Sequence, residues 1–84
     1  MMNTVGVAST DYDTGKIITY YTSRSAVVLD GYDPSHCRAV TRGDRERHGE
    51  HGWKILPTKV TRKLVERFGT HAKIPAKKAS QILR

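Results

Sequence analysis

The stretch after Pro57 repeats apolar side chains with the period of an α-helix. Successive steps of about 100° from Val60 place Leu64 and Phe68 within about 80° of it, while charged side chains occupy the opposite side. Gly69 follows as a typical helix end. Because a helix of this kind must bury its apolar side, the rest of the 84-residue chain has to supply the surface on which it packs.

The N-terminal part of the chain has the composition of β-strands instead. Strand-forming residues fill 5–8 and 17–21, and the turn-forming residues of 11–16 lie between these two runs. Gly15 stands where a type I turn followed by a bulge requires a positive φ. These features predict a β-hairpin.

The middle of the chain is less decisive. A third apolar run, Ala26–Leu29, ends at the turn signal Asp30-Gly31 and is predicted to add a third strand to the hairpin. Asp33-Pro34 has the residues of a helix start, with aspartate as the N-cap and proline at the first helical position. Residues 37–41 can nevertheless form either a helix or a strand, and the sequence leaves both open.

Residues 42–52 contain no apolar side chain and are predicted to form an exposed, mobile loop. The apolar residues of 53–56 then return the chain to the core. They form either a last strand or the approach to the helix that follows.

A second C-terminal helix is predicted to begin at Pro75, with Ala79 and Ile82 on its buried side. Over about 25 residues, 60–84, the order of an amphipathic helix, a glycine, a short turn at 70–74 and a second helix resembles a helix-turn-helix. This resemblance implies that the second helix lies in the major groove of DNA.

Together these elements predict an α+β fold: a single domain in which a small N-terminal antiparallel sheet of three or more strands packs on two C-terminal helices. Its parts are a β-rich segment 1–41, the mobile loop 42–52 and a basic helical segment 53–84. The helical residues expected in the core are Val60, Leu64, Phe68, Ala79, Ile82 and Leu83. Their expected contacts in the N-terminal half and at 53–56 are Val7, Ile18, Val28, Trp53 and Ile55.

The net charge of +7 is concentrated at one end of the chain. Residues 1–53 carry six basic and seven acidic side chains, whereas residues 54–84 carry nine basic side chains and only Glu66 as an acid. Exposed helix faces usually mix both signs in i,i+4 pairs, so this excess indicates a surface that attracts a polyanion.

Nucleic acid, with duplex DNA favoured, is therefore the predicted partner. Lysine and arginine bind phosphates or guanine edges, and glutamine pairs with adenine. The expected contacts to the backbone are Lys59, Arg62, Lys63 and Arg67, and Lys73 between the two helices is a further expected nucleic-acid contact. The expected contacts at the groove are Lys77, Lys78, Gln81 and Arg84.

The function expected from these features is that of a small, non-enzymatic DNA-binding regulator of the kind that phages and mobile elements encode. A homodimer is one possible arrangement, because it would place two such helices one DNA turn apart. The alternative is an inhibitor or adaptor that binds an acidic surface of a host protein. A third hypothesis, a small metal-dependent nuclease with His48 or His51 as the base, finds no paired carboxylates or phosphate-binding glycine loop in its support.

No cofactor or metal is expected. His36, Cys37, His48 and His51 contain zinc-ligand types, but their spacing lacks two close chelating pairs. The single cysteine excludes an intrachain disulfide framework and favours a reducing compartment. Since no apolar run approaches the length of a membrane span, we expect a cytoplasmic protein, in the host cytoplasm if a phage encodes it.

Overall fold

The computed structural model of the chain describes residues 5–83 and shows an α+β fold. Its strands form one antiparallel sheet in the order β3-β1-β2-β4. The predicted fold class is confirmed, although strands precede helices only in part, because β3 and β4 lie among the helices. The elements in chain order are β1 (Val7–Asp11), β2 (Ile17–Tyr21), α1 (Arg24–Leu29), α2 (Pro34–Arg42), β3 (His51–Ile55), α3 (Thr58–Phe68), β4 (Lys73–Pro75) and α4 (Ala76–Ser80).

The N-terminal hairpin is the one that the turn residues predict. Gly15 has a φ of 76°, in the region that favours glycine. The Asp11 carboxylate accepts hydrogen bonds from the backbone N–H groups of Asp13 and Thr14, each at 2.9 Å. These bonds hold the reversal between β1 and β2, so the hairpin is fixed by local chemistry.

The predicted third strand at Ala26–Leu29 is wrong, because these residues belong to helix α1. The helix begins at Ser23, whose hydroxyl oxygen accepts a hydrogen bond from the Ala26 N–H at 3.3 Å. A run of four apolar residues has no period that separates helix from strand, so the cap in front of it decides.

Helix α2 resolves the alternatives at residues 37–41 in favour of a helix. Asp33 is its N-cap, accepting a hydrogen bond from the Ser35 N–H at 2.8 Å, and Pro34 occupies the first helical position. With α1 and α2 in place, the segment predicted as β-rich up to residue 41 contains strands only up to Tyr21.

Helices cover both faces of the sheet. Successive residues of a strand point to opposite faces, so Ala8 points to one side and Val7 to the other. On the first side Ala8 packs with α3 and α4, in a cluster formed with Leu56, Leu64, Ile74 and Ala79. On the second side α1 and α2 pack on the sheet, in a cluster of Tyr21, Ala26, Val27, Cys37 and Trp53.

Three residues expected in the core are exposed instead. Ile18, Val28 and Ile55 have exposed fractions of 40%, 55% and 53%. The register of the hairpin shifts between Ser9 and Thr10, so Ile18 has no partner on β1 and is the extra residue of a bulge. Val28 lies on the outer side of α1, and Ile55 is the last residue of an edge strand.

The loop after α2 is shorter than predicted, since α2 extends to Arg42 and β3 begins at His51. Residues 53–55 are part of this strand, which selects the first of the two alternatives for that segment. Trp53 is buried, and its indole N–H donates to the His48 carbonyl at 2.9 Å. This bond attaches the loop to the core.

The segment between α3 and α4 is strand β4, where a helix-turn-helix would have a turn. Its residues pair with Thr19–Tyr21 of β2, so α3 and α4 are separated by a strand of the sheet. Helix α4 ends at Ser80, and Ile82 and Leu83, predicted to be helical, lie beyond it.

Candidate nucleic-acid interface

The outer side of α3 and α4 carries most of the predicted contacts. Leu64 and Ala79 are completely buried and fix the two helices against the same face of the sheet. Gln81, the C-cap of α4, is exposed. The remaining exposed contacts on these helices, which we call the basic layer, are Lys59, Arg62, Lys63, Arg67, Lys77 and Lys78.

Within residues 5–83, none of the six cations of the basic layer lies within 4.0 Å of a carboxylate oxygen. Glu66 is the only acid on either helix. Lys78 lies over the Phe68 ring, with its Nζ 5.5 Å from the ring centroid, and this contact joins α4 to the end of α3. The outer side of the layer is therefore strongly positive and not neutralised by the protein itself.

Lys73 is separated from the basic layer. It pairs with Tyr21 across β2 and β4, and directly opposite residues share a face of the sheet, so Lys73 faces the side of α1 and α2. Its Nζ donates to an Asp30 carboxylate oxygen at 3.0 Å. Lys73, an expected nucleic-acid contact, is thus already paired with an acid. Arg84, another expected contact, lies outside the described residues.

Asp30 is the centre of a small polar network at the end of α1. Besides Lys73, the hydroxyl of buried Tyr21 donates to the Asp30 carboxylate at 2.6 Å. The hydrogen bond from Tyr21, and then the bond and charge of Lys73, lower the pKa of the Asp30 carboxyl below its usual value. Burial, together with this carboxylate, raises the pKa of Tyr21.

A connection of the length typical of a helix-turn-helix joins α1 and α2, not the two C-terminal helices for which it was predicted. Helices α1 and α2 are joined by the four residues 30–33, and Gly31 within them has a φ of 86°. The sequence contains the end signal of the first helix, Asp30-Gly31, and the start signal of the second, Asp33-Pro34. Because Ala26–Leu29 was predicted to be a strand, the first helix was not recognised.

The outer side of α2 has hydrogen-bond donors and no acid among its helical residues, and the carboxylate of its N-cap Asp33 lies 4.0 Å from His36 Nδ1. Ser35, His36, Arg38 and Arg42 are exposed on it, while Cys37 faces the core. Arg42 forms an ion pair with Asp44 at 3.3 Å, so only part of this side is available to an anion.

Arg24 and Arg38 line one apolar-floored groove between α1, α2 and the sheet. Neither has a carboxylate partner within 4.0 Å among the described residues. Three further acids among the described residues have local partners: Asp33 caps α2, Glu50 lies 3.9 Å from Arg47, and Glu46 accepts a hydrogen bond from the Tyr12 hydroxyl at 3.3 Å.

Three histidines, His36, His48 and His51, lie beside other aromatic rings. The rings of His36 and His48 are 4.9 Å apart, and Nε2 of His48 accepts a hydrogen bond from the Asp33 N–H at 3.2 Å. Burial, with the nearby His36 and Arg45, lowers the pKa of His48. Across residues 5–83, no cluster of three or more histidine, cysteine, aspartate or glutamate side chains has an arrangement that could hold a metal ion.

Comparison of the chain with protein families, with curated proteins and with solved structures finds no match. Of the helices within the described part of the chain, none has the length and apolar character needed to cross a membrane.

Proposed function

We propose that this protein binds duplex nucleic acid, with DNA as the favoured partner, through the basic layer. The observation that carries the proposal is the set of six exposed cations on two helices of one side of the sheet, without a carboxylate partner in the described structure. A surface with this excess of one sign attracts a polyanion over long distances and accelerates the encounter.

The basic layer has the chemistry to bind the phosphate backbone rather than base edges. Helix α4 has five residues, which is about 7.5 Å of helix, and it follows a strand instead of the tight turn that presents a recognition helix. Contacts by its lysines then go to phosphates, which position a protein without selecting a sequence. The role that fits is that of a non-enzymatic DNA-binding regulator.

If all six cations meet phosphates, the slope of log K against log salt is about −5 on duplex DNA. Such an interaction loses about three orders of magnitude in affinity between 50 and 200 mM salt. Affinity therefore has to be measured at a stated salt concentration.

The second candidate is an inhibitor or adaptor that binds an acidic host protein. It is favoured by Val28 and Leu29, which are 55% and 76% exposed side by side at the end of α1. Adjacent exposed apolar side chains are more typical of a protein interface than of contacts with phosphates. In this case the basic layer would supply electrostatic attraction and α1 an apolar contact.

Fluorescence anisotropy on a labelled 20-base-pair DNA duplex at 0.1 M salt tests the proposal. We expect R62E/R67E to lose at least on the order of 50-fold in affinity, because two lost phosphate contacts alone cost about that factor. The matched control K16E/R45E reverses two exposed charges outside the basic layer and should keep most of the affinity. Circular dichroism confirms that both variants fold.

Wild-type protein that binds neither duplex DNA nor duplex RNA at 50 mM salt would contradict the proposal. Binding of an acidic protein from the host, in the absence of nucleic-acid binding, would select the second candidate. Equal losses in the two charge-reversal variants would show that net charge, and not the basic layer, determines binding.

A further inference from the structure

We infer that one copy of the chain holds two duplex segments at once, one on each side of its sheet. The first segment lies on the basic layer, so the inference rests on the proposed function. The second lies on the surface formed by α1 and α2, which we call the α1–α2 surface and define by Arg24, Ser35, His36, Arg38 and Arg42.

The two surfaces are on opposite faces of the same sheet. Ala8 of β1 packs with α3 and α4, and its neighbour Val7 packs with α1 and α2. The outer sides of the two helical layers therefore point away from each other. A single straight duplex that lies along one layer does not reach the other.

The α1–α2 surface has the construction of a groove-binding element. Its two helices are joined by the four residues 30–33, the connection length of a helix-turn-helix. The second helix, α2, spans nine residues, or about 13 Å, and the roughly 12 Å width of the major groove admits the diameter of an α-helix. Its exposed side offers arginine, serine and histidine donors, the groups that bind base edges and phosphates.

Charge complementarity identifies the occupant as a polyanion. Arg24 and Arg38 share a groove beside α2, and neither is paired with a carboxylate in the described part of the chain. The acids closest in sequence to α2 have partners of their own: Asp33 caps the helix and lies 4.0 Å from His36, and Asp44 pairs with Arg42. Guanidinium groups that line the same groove can bind the phosphates of a backbone lying beside it.

The α1–α2 surface is the weaker of the two. It offers two unpaired arginines where the basic layer offers six cations, so its salt slope is about −2 compared with about −5. A duplex in excess therefore fills the basic layer first. A second duplex then binds to the opposite side with lower affinity.

Electrostatic repulsion does not prevent both segments from binding. The shortest dimension of the protein is 20 Å, and the Debye length is about 8 Å at physiological salt. At this salt the two backbones are separated by more than two screening lengths, and at 50 mM salt, where the screening length is about 14 Å, by about one and a half. The protein between them also neutralises part of their charge.

A bridging assay tests the inference. A biotinylated duplex is immobilised on beads, the full-length protein is added, and a fluorescent duplex of unrelated sequence is supplied in solution at 50 mM salt. We expect the fluorescent duplex to be retained, with a maximum when protein and immobilised duplex are about equimolar and a decline when excess protein occupies each duplex separately.

Two double variants assign the surfaces. R24A/R38A should bind the immobilised duplex within about threefold of wild type but retain at least tenfold less of the fluorescent duplex. R62E/R67E should lose both the binding to the immobilised duplex and the retention of the fluorescent duplex. Circular dichroism verifies folding, and sedimentation equilibrium at the assay concentration determines whether the protein is a monomer.

The outcomes are distinguishable. If the wild type does not bind the immobilised duplex, the proposed function fails and the inference fails with it. If the wild type binds it but retains no fluorescent duplex, only the two-sided inference is overturned. Retention that persists in R24A/R38A also overturns it, because bridging would then arise from two copies that each use a basic layer.

Discussion

Replacing Tyr21 by phenylalanine tests the polar network that joins β2 and β4 to the end of α1. The Tyr21 hydroxyl and Lys73 both reach the carboxylate of Asp30, and Lys73 can do so only because β4 pairs with β2. In a tight turn between two helices, residue 73 would have no reason to meet the end of α1. The three-residue network is therefore a direct consequence of the observed topology.

The structure sets the expected magnitudes. A hydrogen bond to a charged group contributes roughly 1.5–3 kcal/mol. The Tyr21–Asp30 bond is part-buried, so Y21F should lower the free energy of unfolding by about 2 kcal/mol. At about 4–8 °C per kcal/mol for a domain of this size, the melting temperature falls by about 8–16 °C. The Lys73–Asp30 pair is partly exposed and should contribute only about 0.2–1 kcal/mol, so K73A has a smaller effect.

Urea denaturation of the wild type, Y21F, D30N and the double variant measures the coupling between Tyr21 and Asp30. Because the folded pKa of Asp30 is lowered, its stabilisation is present above the unfolded pKa of about 3.9 and is lost as the pH falls through the lower folded value. Y21F should make this acid loss shallower. Additive effects of Y21F and D30N, or a K73A variant that is less stable than Y21F, would refute the network.

Three further outcomes follow from the packing. L64A should lower the free energy of unfolding by about 2–5 kcal/mol in urea denaturation, because Leu64 is fully buried; a loss below 1 kcal/mol would contradict its place in the core. Burial raises the pKa of the Cys37 thiol to about 11, so alkylation by iodoacetamide at pH 8 should be at least on the order of 100-fold slower in the folded than in the urea-unfolded protein, and equal rates would show the thiol to be accessible. The pKa of His48 is lowered in the folded protein, so the neutral imidazole stabilises the fold above its unfolded pKa of about 6.5, and this stability is lost as the pH falls through the folded pKa. The melting temperature should therefore drop less between pH 7 and pH 5 in H48Q than in the wild type.

Elements with purely local signals were predicted from the sequence. The hairpin depends on Asp11 and Gly15, and α3 on a period that runs from Val60 to Phe68 and ends at Gly69. Each of these signals lies within the element that it specifies. The structure confirms both.

Elements whose secondary structure depends on partners distant in the chain were not predicted from the sequence. The three residues of β4 have no strand pattern of their own and become a strand by pairing with β2, about 50 residues away in the chain. Ala26–Leu29 has the composition of a strand, but the Ser23 cap and burial against Tyr21 and Trp53 select a helix. The bulge that exposes Ile18 is likewise a property of the paired hairpin.

The candidate site was predictable to the extent that it depends on helical periodicity. The positions of Arg62, Lys63 and Arg67 on the outer side of α3 follow from the apolar period alone. Lys73 was grouped with them because it lies between two basic helices in sequence, but its partner Asp30 is 43 residues away. Pairing of charges between distant segments is not visible in a local pattern.

Salt titration of duplex DNA binding measures the central claim most directly. We expect a slope of log K against log salt of about −5 for the wild type, reduced by about 2 in R62A/K63A and unchanged in K16A/K73A. A slope near zero for the wild type, or the same reduction in both double variants, would contradict the claim that the outer side of α3 and α4 binds the phosphate backbone.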